Sequence, residues 1–581
     1  MRFIAYRFFF LLLAFSGLLA AGPRPSPLRT KAQEAIISAA QKQLAADPAI
    51  QNAYVGPEAC LACHPSYGDW RKSLHATGLK VATDDKSSMV KRDGIIADYD
   101  KNGVDDFKQG LDFNKISSGF NVYKPNAPIL GYSAASGYTV RIGPMEYPVV
   151  FVHGGSGIYK QRYVVRIPVT DTATGFSAGL YYSPVQFNES TETYVVYEPS
   201  YWYKPDNTVK ITSKISAKAA AEGKSFDKGC AGCHSTTLSS VGKDANGEFV
   251  SSTPTPVYVK PGDNHYLDLR GKGEPDMYHI GCETCHGPGA RHIINRGDPK
   301  RIVNPSRDFT AKQQNFQCGS CHARGASFPS GMHEFPYDET AKQEYPRFAP
   351  TDDLFTRYLQ NKPGVHPDGK TSRQHHQQLQ ELMRSSKWEF EFHKVTCVDC
   401  HDPHASSPSQ IRPVLVTQGS GGAQLKINVS VNNNTLCLAC HAGFGPFQAL
   451  RKEQIADLAA NSQAIAQVVS AHTHHPYTPE GTLGLSRCTN CHMAEMAASG
   501  APYDMHSHSF AVVPPEATLK YQAQGGMPNS CATCHRKLAS AIGAPPDLSI
   551  STWNEPSDVS VATWLMKYFG PEGTWWKKTL E

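Results

Sequence analysis

The 581-residue chain has no cysteine outside a Cys-x-x-Cys-His sequence. That absence excludes a spare reactive thiol, and a disulfide scaffold too, which would not repeat one spacing and belongs to much shorter chains. Beyond its first residues the chain has no apolar run of the roughly 18 residues that a spanning helix needs, so no membrane span is expected. There is no cysteine near residue 21 to carry a lipid. Basic tracts are missing as well, which argues against nucleic acid as a partner. Methionine is scarce at 11 residues, and none recurs at a fixed distance from the cysteines.

What is present is one motif, eight times. The cysteine pairs are Cys60 and Cys63, Cys230 and Cys233, Cys282 and Cys285, Cys318 and Cys321, Cys397 and Cys400, Cys437 and Cys440, Cys488 and Cys491, and Cys531 and Cys534. Each is followed at once by a histidine: His64, His234, His286, His322, His401, His441, His492 and His535. Two thiolates three residues apart can add to the vinyl groups of one haem, and the adjoining imidazole then reaches its iron. Zinc ribbons pair such units two by two and have no need of the histidine. Eight covalently attached haem c groups are the expected cofactors.

The first residues agree with that chemistry. Arg2 and Arg7, an apolar stretch from Phe8 to Leu19 and Ala20-Ala21-Gly22 read as a signal peptide at 1–21, removed near Ala21. Haem is attached to such proteins after export, so the expected location is periplasmic or extracellular. Formal charge is +5, and removing Arg2 and Arg7 leaves +3. Each ferric haem with both propionates ionised adds about −1, which makes the loaded protein mildly acidic.

The motif intervals are uneven: 170 residues from Cys60 to Cys230, then 52, 36, 79, 40, 51 and 43. The expected fold is a multihaem cytochrome c fold, haem-packed, mostly α-helix and loop with little regular structure, plus a small β-rich insert between haems 1 and 2. The expected units after the leader are 22–136 (N-terminal helix, haem 1 and a calcium loop), 137–212 (the insert), 213–345 (haems 2–4) and 346–581 (haems 5–8). Helical spacing marks Pro27 to Asp47, Arg373 to Arg384 and Gln448 to Ser470. The insert carries Tyr138-Thr139-Val140-Arg141-Ile142, Tyr163-Val164-Val165-Arg166-Ile167 and Tyr194-Val195-Val196-Tyr197, the signature of antiparallel strands. It reads as a packing wall, favoured because strand edges are normally covered, or as a binding or assembly surface. Trp70, Tyr201, Trp202 and Trp388 are expected to pack on porphyrin faces.

Asp98, Asp100, Asn102 and Asp106 stand at positions 1, 3, 5 and 9 of a calcium loop with Gly103 at position 6. Position 12 is Gln109 where a bidentate Glu would be expected, so the segment reads either as a Ca2+ site or as a solvated turn.

Of 24 histidines, eight belong to motifs and 24 − 8 = 16 remain, twice what bis-histidine ligation of every iron needs. His153, His376, His472 and His475 are candidate distal ligands, with one member at least of His472-Thr473-His474-His475 ligating. His265, His333 and His366 are less favoured.

Further stretches carry a resemblance. Cys282-Glu-Thr-Cys285-His286-Gly-Pro-Gly-Ala-Arg-His292, Ile302-Val-Asn-Pro305, Cys318-Gly-Ser-Cys321-His322-Ala-Arg-Gly325, Cys397-Val-Asp-Cys400-His401-Asp-Pro-His404 and Arg487-Cys488-Thr-Asn-Cys491-His492-Met493 resemble the secreted multihaem c-type cytochromes with a CHGPG motif, over roughly residues 58 to 540. That family includes the tetrahaem cytochrome of nitrifying bacteria and extracellular electron-transfer cytochromes. The resemblance implies distal ligation by His75, His292, His404 and His508. Where relatives show Ser-Lys-His before the fifth motif, this chain has Ser386-Lys387-Trp388, so His375, His376 or His393 supplies that ligand or one haem stays open.

Two function classes follow. One is a conduit of bis-histidine haems, with other redox proteins or cytochromes as partners and self-association into a filament as an extension. The alternative is a multihaem reductase or oxidase of a small nitrogen or sulfur compound, with one open haem. Nitrite-reducing relatives mark the active haem with a lysine in place of the motif histidine, whereas all eight motifs here keep His. Octahaem hydroxylamine oxidoreductases carry a long helical extension after the last haem, whereas 581 − 535 = 46 residues follow His535 here. The conduit is the favoured reading.

Overall fold

As a computed structural model, the structure describes residues 29–82, 97–155, 158–257, 268, 273–351, 354–356, 358–360, 364–385, 389–390, 393–407, 409–477, 486–537 and 556–569. The expected leader, His265, Trp388 and the side chain of His393 lie outside the described residues.

The motifs sit on short helices: Pro57–Cys63, Cys282–His286, Ala311–His322, Cys397–Cys400, Thr435–His441, Cys488–His492 and Ala532–Lys537. A helical turn sets the cysteines at i and i+3 on one side, which is what two adjacent vinyl groups require. Motif 2 follows the turn Phe226–Gly229. The longest of these helices, Ala311–His322, begins with a reciprocal cap between Thr310 and Gln313 and ends on its motif histidine.

The helix expected over Pro27 to Asp47 is α1, Lys31–Ala46, likewise started by a capping box between Thr30 and Gln33. It is less of a surface helix than its pattern implies. Ile37 and Ala40 are buried together with Ala290, Ile293 and Ile294 of the segment after motif 3. The helix expected over Arg373 to Arg384 begins only at Gln378, because the chain before it turns through His376 in a left-handed conformation (φ 60°). The helix expected over Gln448 to Ser470 is two helices, Lys452–Ala456 and Leu458–Thr473. Asp457 breaks the first and caps the second through Ala460 N–H at 3.3 Å.

The β-rich segment exceeds its expectation. Seven antiparallel strands form one sheet: β1 Leu79–Val81, β2 Ile129–Ser133, β3 Gly137–Ile142, β4 Met145–Gly154, β5 Lys160–Val165, β6 Tyr181–Asn188 and β7 Thr193–Val196. β2 to β7 pair in chain order and β1 adds to β4. The sheet therefore recruits residues from before position 137, among them β1, which follows motif 1 directly. Strand alternation gives it two faces. One, with Val140, Tyr147, Tyr163, Val165 and Tyr181, closes a core with Phe107, Phe113 and Phe120. The other, with Phe151, Val164 and Tyr182, packs on Phe226, Ala231 and Tyr278 around motif 2. Elsewhere the strands are two-stranded ribbons such as Val414–Gln418 with Gln424–Asn428. No described helix is long and apolar enough to cross a membrane.

Candidate functional site

All sixteen cysteines and all eight motif histidines line one continuous cavity of ≈ 3460 Å³. Shared among eight groups that is about 430 Å³ each, within the usual range of roughly 300–1,000 Å³ for a site holding one small molecule.

The imidazoles give a sharper test of whether haem fits. Two metal–nitrogen bonds of about 2 Å, each continued by roughly 1.2 Å to the ring centre, set two axial imidazoles about 6.4 Å apart. His64 and His292 face each other at 6.3 Å and 21°. The same 6.3 Å separates His286 from His404, His401 from His508 and His472 from His492, at 24°, 23° and 7°. His75 and His322 stand at 6.4 Å, and His475 and His535 at 6.5 Å, with ring planes crossed at 60° and 69°. Near-parallel rings touching for their own sake stack closer, as Tyr123 and Tyr203 do at 4.0 Å, so the four near-parallel gaps are iron-sized, while the two crossed pairs match that spacing without being set apart by it.

Hydrogen bonds fix the tautomer. The Nδ1–H of His286, His401 and His492 donates to the carbonyls of Val303, Ser409 and Phe510 at 2.7, 2.7 and 3.0 Å. Among the facing rings, His292 donates to Asp298 O at 2.9 Å and His475 to Thr473 O at 2.8 Å. A donor at Nδ1 leaves the Nε2 lone pair for a metal. Burial also keeps these rings neutral: it lowers His75, His234 and His535 to about 4 and His508 to about 3. Buried Glu381 positions His508, accepting its backbone N–H at 2.6 Å and that of Ser372 at 2.9 Å.

Each facing ring comes from outside its partner's motif. His292 and His404, which follow motifs 3 and 5, face motifs 1 and 3, and His75, which follows motif 1, faces motif 4. The ring opposite motif 5 is His508, not His375 or His376, which stand edge-on to each other at 4.3 Å in the cavity wall. His153 lies 4.3 Å from His234, edge to face, which leaves no room for an iron between them.

The sulfurs disclose which motifs are neighbours. The thiols of Cys60 and Cys282, Cys233 and Cys321, Cys318 and Cys397, and Cys437 and Cys488 stand close enough to shift one another's ionisation. Burial pushes Cys285 and Cys400 up to about 12 and Cys491 to about 11, and the nearby thiols of Cys318, Cys437 and Cys534 respectively add to it. The motifs thus run 1, 3, 4, 5, 6, 7, 8 in space, with motif 2 set beside motif 4.

Other expected residues fall elsewhere. His333 is buried among Phe249, Phe335 and Tyr337, and His366 hydrogen-bonds Met496 O at 2.8 Å; neither lines the cavity. Trp70 does line it, with its indole N–H on Ile280 O. Trp202 instead fills the sheet core against Tyr147, and Tyr201 is exposed, so neither packs on the haem cavity. Sequence reasoning missed Trp564, 5.5 Å from His535, and His506, whose Nδ1–H reaches Met493 O at 2.6 Å beside the cavity. Spacing of two from His508 was the signal for His506. For Trp564 there was none.

Away from the cavity, Asp98, Asp100 and Asp106 bring one carboxylate oxygen each within 4.8 Å of the others. Gly103 takes a φ of +84°, the left-handed turn expected at position 6. Asn102 spends its amide on Asp100 (3.0 Å) and Gln109 (2.5 Å), and Asp106 is buried, accepting from Tyr194 of β7 at 2.7 Å.

No protein-family model matches the chain. Multiheme cytochrome MtrA of Shewanella baltica (strain OS185) is 24% identical over 131 residues, 22% of this chain and 37% of that protein, so the chain aligns with little more than a third of that relative's length. Among solved structures, the outer cell wall cytochrome OcwA superposes with a TM-score of 0.42 and 20% identity, covering 89% of this chain and 86% of that one.

Proposed function

We propose that this chain is a multihaem c-type cytochrome that carries eight covalent haems and transfers electrons between redox proteins outside the cytoplasm. The observation that carries it is the set of six imidazole pairs at 6.3 to 6.5 Å around one cavity lined by every motif. The similarity to a multihaem cytochrome over part of the chain supports the same reading.

When bound, the haems supply reversible one-electron iron chemistry along a contiguous run of sites. The protein's part is to hold each group by two sulfurs and, at six irons, two imidazoles, and to set their tautomers through backbone carbonyls. Mass spectrometry of the mature chain is expected to show eight haem additions, and fewer would overturn the proposal. Export, a periplasmic or extracellular location and end-to-end filaments extend it. Cell fractionation and electron microscopy test them, with periplasmic monomers as the outcome against filaments.

The facing rings make a specific prediction. His292→Ala is expected to turn one ferric iron in eight from low to high spin, seen as a new high-spin resonance, because the ring removed belongs to motif 1's iron. An unchanged resonance spectrum would reject that pairing.

The Asp98 loop is proposed to take one Ca2+ in a structural role, pinning the loop to β7 through Asp106 and Tyr194. A chelator is then expected to lower the melting temperature without altering the haem spectrum. Identical melting curves with and without chelator would leave a plain turn.

The alternative, a multihaem reductase or oxidase, is favoured by one observation only, the 4.3 Å gap between His153 and His234.

A further inference from the structure

The His153–His234 spacing is 2.0 Å shorter than the 6.3 Å of the paired rings. Both rings cannot bind one iron, and His234 belongs to the motif. His153 is not free to retreat. Its strand is paired at Leu79↔His153, Gly154 N–H donates to Gly78 O at 2.9 Å, and its Nδ1 meets Tyr182 Oη at 2.6 Å. The sheet that would supply a distal ligand to motif 2 therefore holds that ring too close to serve.

The same sheet face offers something else. β5 alternates, so Gln161 and Tyr163 turn towards the sheet's own core while Lys160 and Arg162 turn to the motif 2 side, and Arg162 lies directly across from His153 in the register. The Arg162 guanidinium sits 3.5 Å from the Tyr197 ring and its Nε–H donates to Gln186 Oε1 at 2.6 Å, while Lys160 Nζ donates to Ser499 O. Neither cation is in a salt bridge with a described carboxylate. Asp504 is the acidic group that acts on Lys160, and its oxygens are already taken by the amides of Ser499, Gly500 and Ala501. Both side chains are half-buried in the cavity wall on the motif 2 side, and a basic wall of this kind suits an arriving anion.

We propose that the iron held by His234 has an exchangeable sixth position that takes a small inorganic anion, bound with the help of Arg162 and Lys160. This rests on haem attachment at motif 2.

Azide is the probe, used on the full chain after mass spectrometry has counted eight haems. His441 of motif 6 also stands outside the six pairs, so the expected result is an azide-sensitive high-spin signal whose motif 2 share is the part that the following variants change. Arg162→Gln and, separately, Lys160→Met are expected to weaken azide at least tenfold while the haem count and the starting high-spin signal stay unchanged. Eight low-spin irons with no azide binding would overturn the proposal, since His375, His376 or Lys160 would then hold the sixth position. Azide binding untouched by both variants would overturn it too, the cations then serving the porphyrin's own carboxylates. A chain that lacks only the motif 2 haem overturns this inference and the count of eight together. Eight haems without azide binding overturn this inference alone.

Discussion

Made in a host that cannot attach haem, the chain is expected to be unfolded or rapidly degraded rather than a folded apoprotein. The cavity of ≈ 3460 Å³ gives about 430 Å³ per haem site, and the side chains that line it lose their packing partners when the porphyrins are missing. The whole stability of a typical domain is only about 5–15 kcal/mol, so losing that packing at eight sites is enough to unfold the chain. Twenty-four ligating or attaching side chains line the space, which the porphyrins would fill. Circular dichroism and limited proteolysis of haem-free protein check this. A protease-resistant apoprotein with native helix content would show that polypeptide packing alone holds the fold.

Removing the Glu283 carboxylate is expected to be the most damaging single change away from the haem ligands. Glu283 lies inside motif 3, is 1% exposed, and accepts the backbone N–H groups of Val55 (2.9 and 3.1 Å), Gly56 (2.8 Å) and Gly289 (2.7 Å). It thereby ties the approach to motif 1 onto motif 3. Glu283→Ala leaves three buried donors unpaired, at about 1–3 kcal/mol each. Burial raises the carboxyl to about 7 against those three hydrogen bonds, which lower it. A carboxyl whose folded value lies above its ordinary 4.5 binds its proton more tightly when folded. Its contribution is therefore complete below pH 4.5 and is lost as pH rises to about 7, roughly 3 kcal/mol over that window. Denaturation of the loaded protein from pH 4.5 to 8 should show this slope in the native chain and its loss in Glu283→Gln. Parallel curves for the two proteins would mean that Glu283 is ionised throughout.

The motifs and the attachment chemistry they imply were legible in the chain because they are local: three residues of spacing decide which thiols can share one porphyrin. The start of α1 was legible too, since Thr30 and Gln33 announce a cap. Local pattern failed where tertiary contacts overrode it. Helical spacing over Arg373 to Arg384 could not foresee the turn at His376, nor the 448–470 pattern the break at Asp457. The β segment was recognised by its residue types, but its size was underestimated, because β1 joins β4 across more than seventy residues.

Eight Cys-x-x-Cys-His units, their histidine surplus and the lack of any other cysteine were determined by sequence alone, through bonding distances that no fold can alter. Which imidazole meets which iron was decided only by the tertiary structure. His292, His404 and His508 face the histidines of motifs 1, 3 and 5 because the chain carries each ring to another motif. His153 looked like another of that kind. The pairing of β1 with β4 holds its ring 4.3 Å from His234, and with Arg162 beside it this makes motif 2 unlike the paired six. A strand register sets that difference, and register depends on partners far away in the chain.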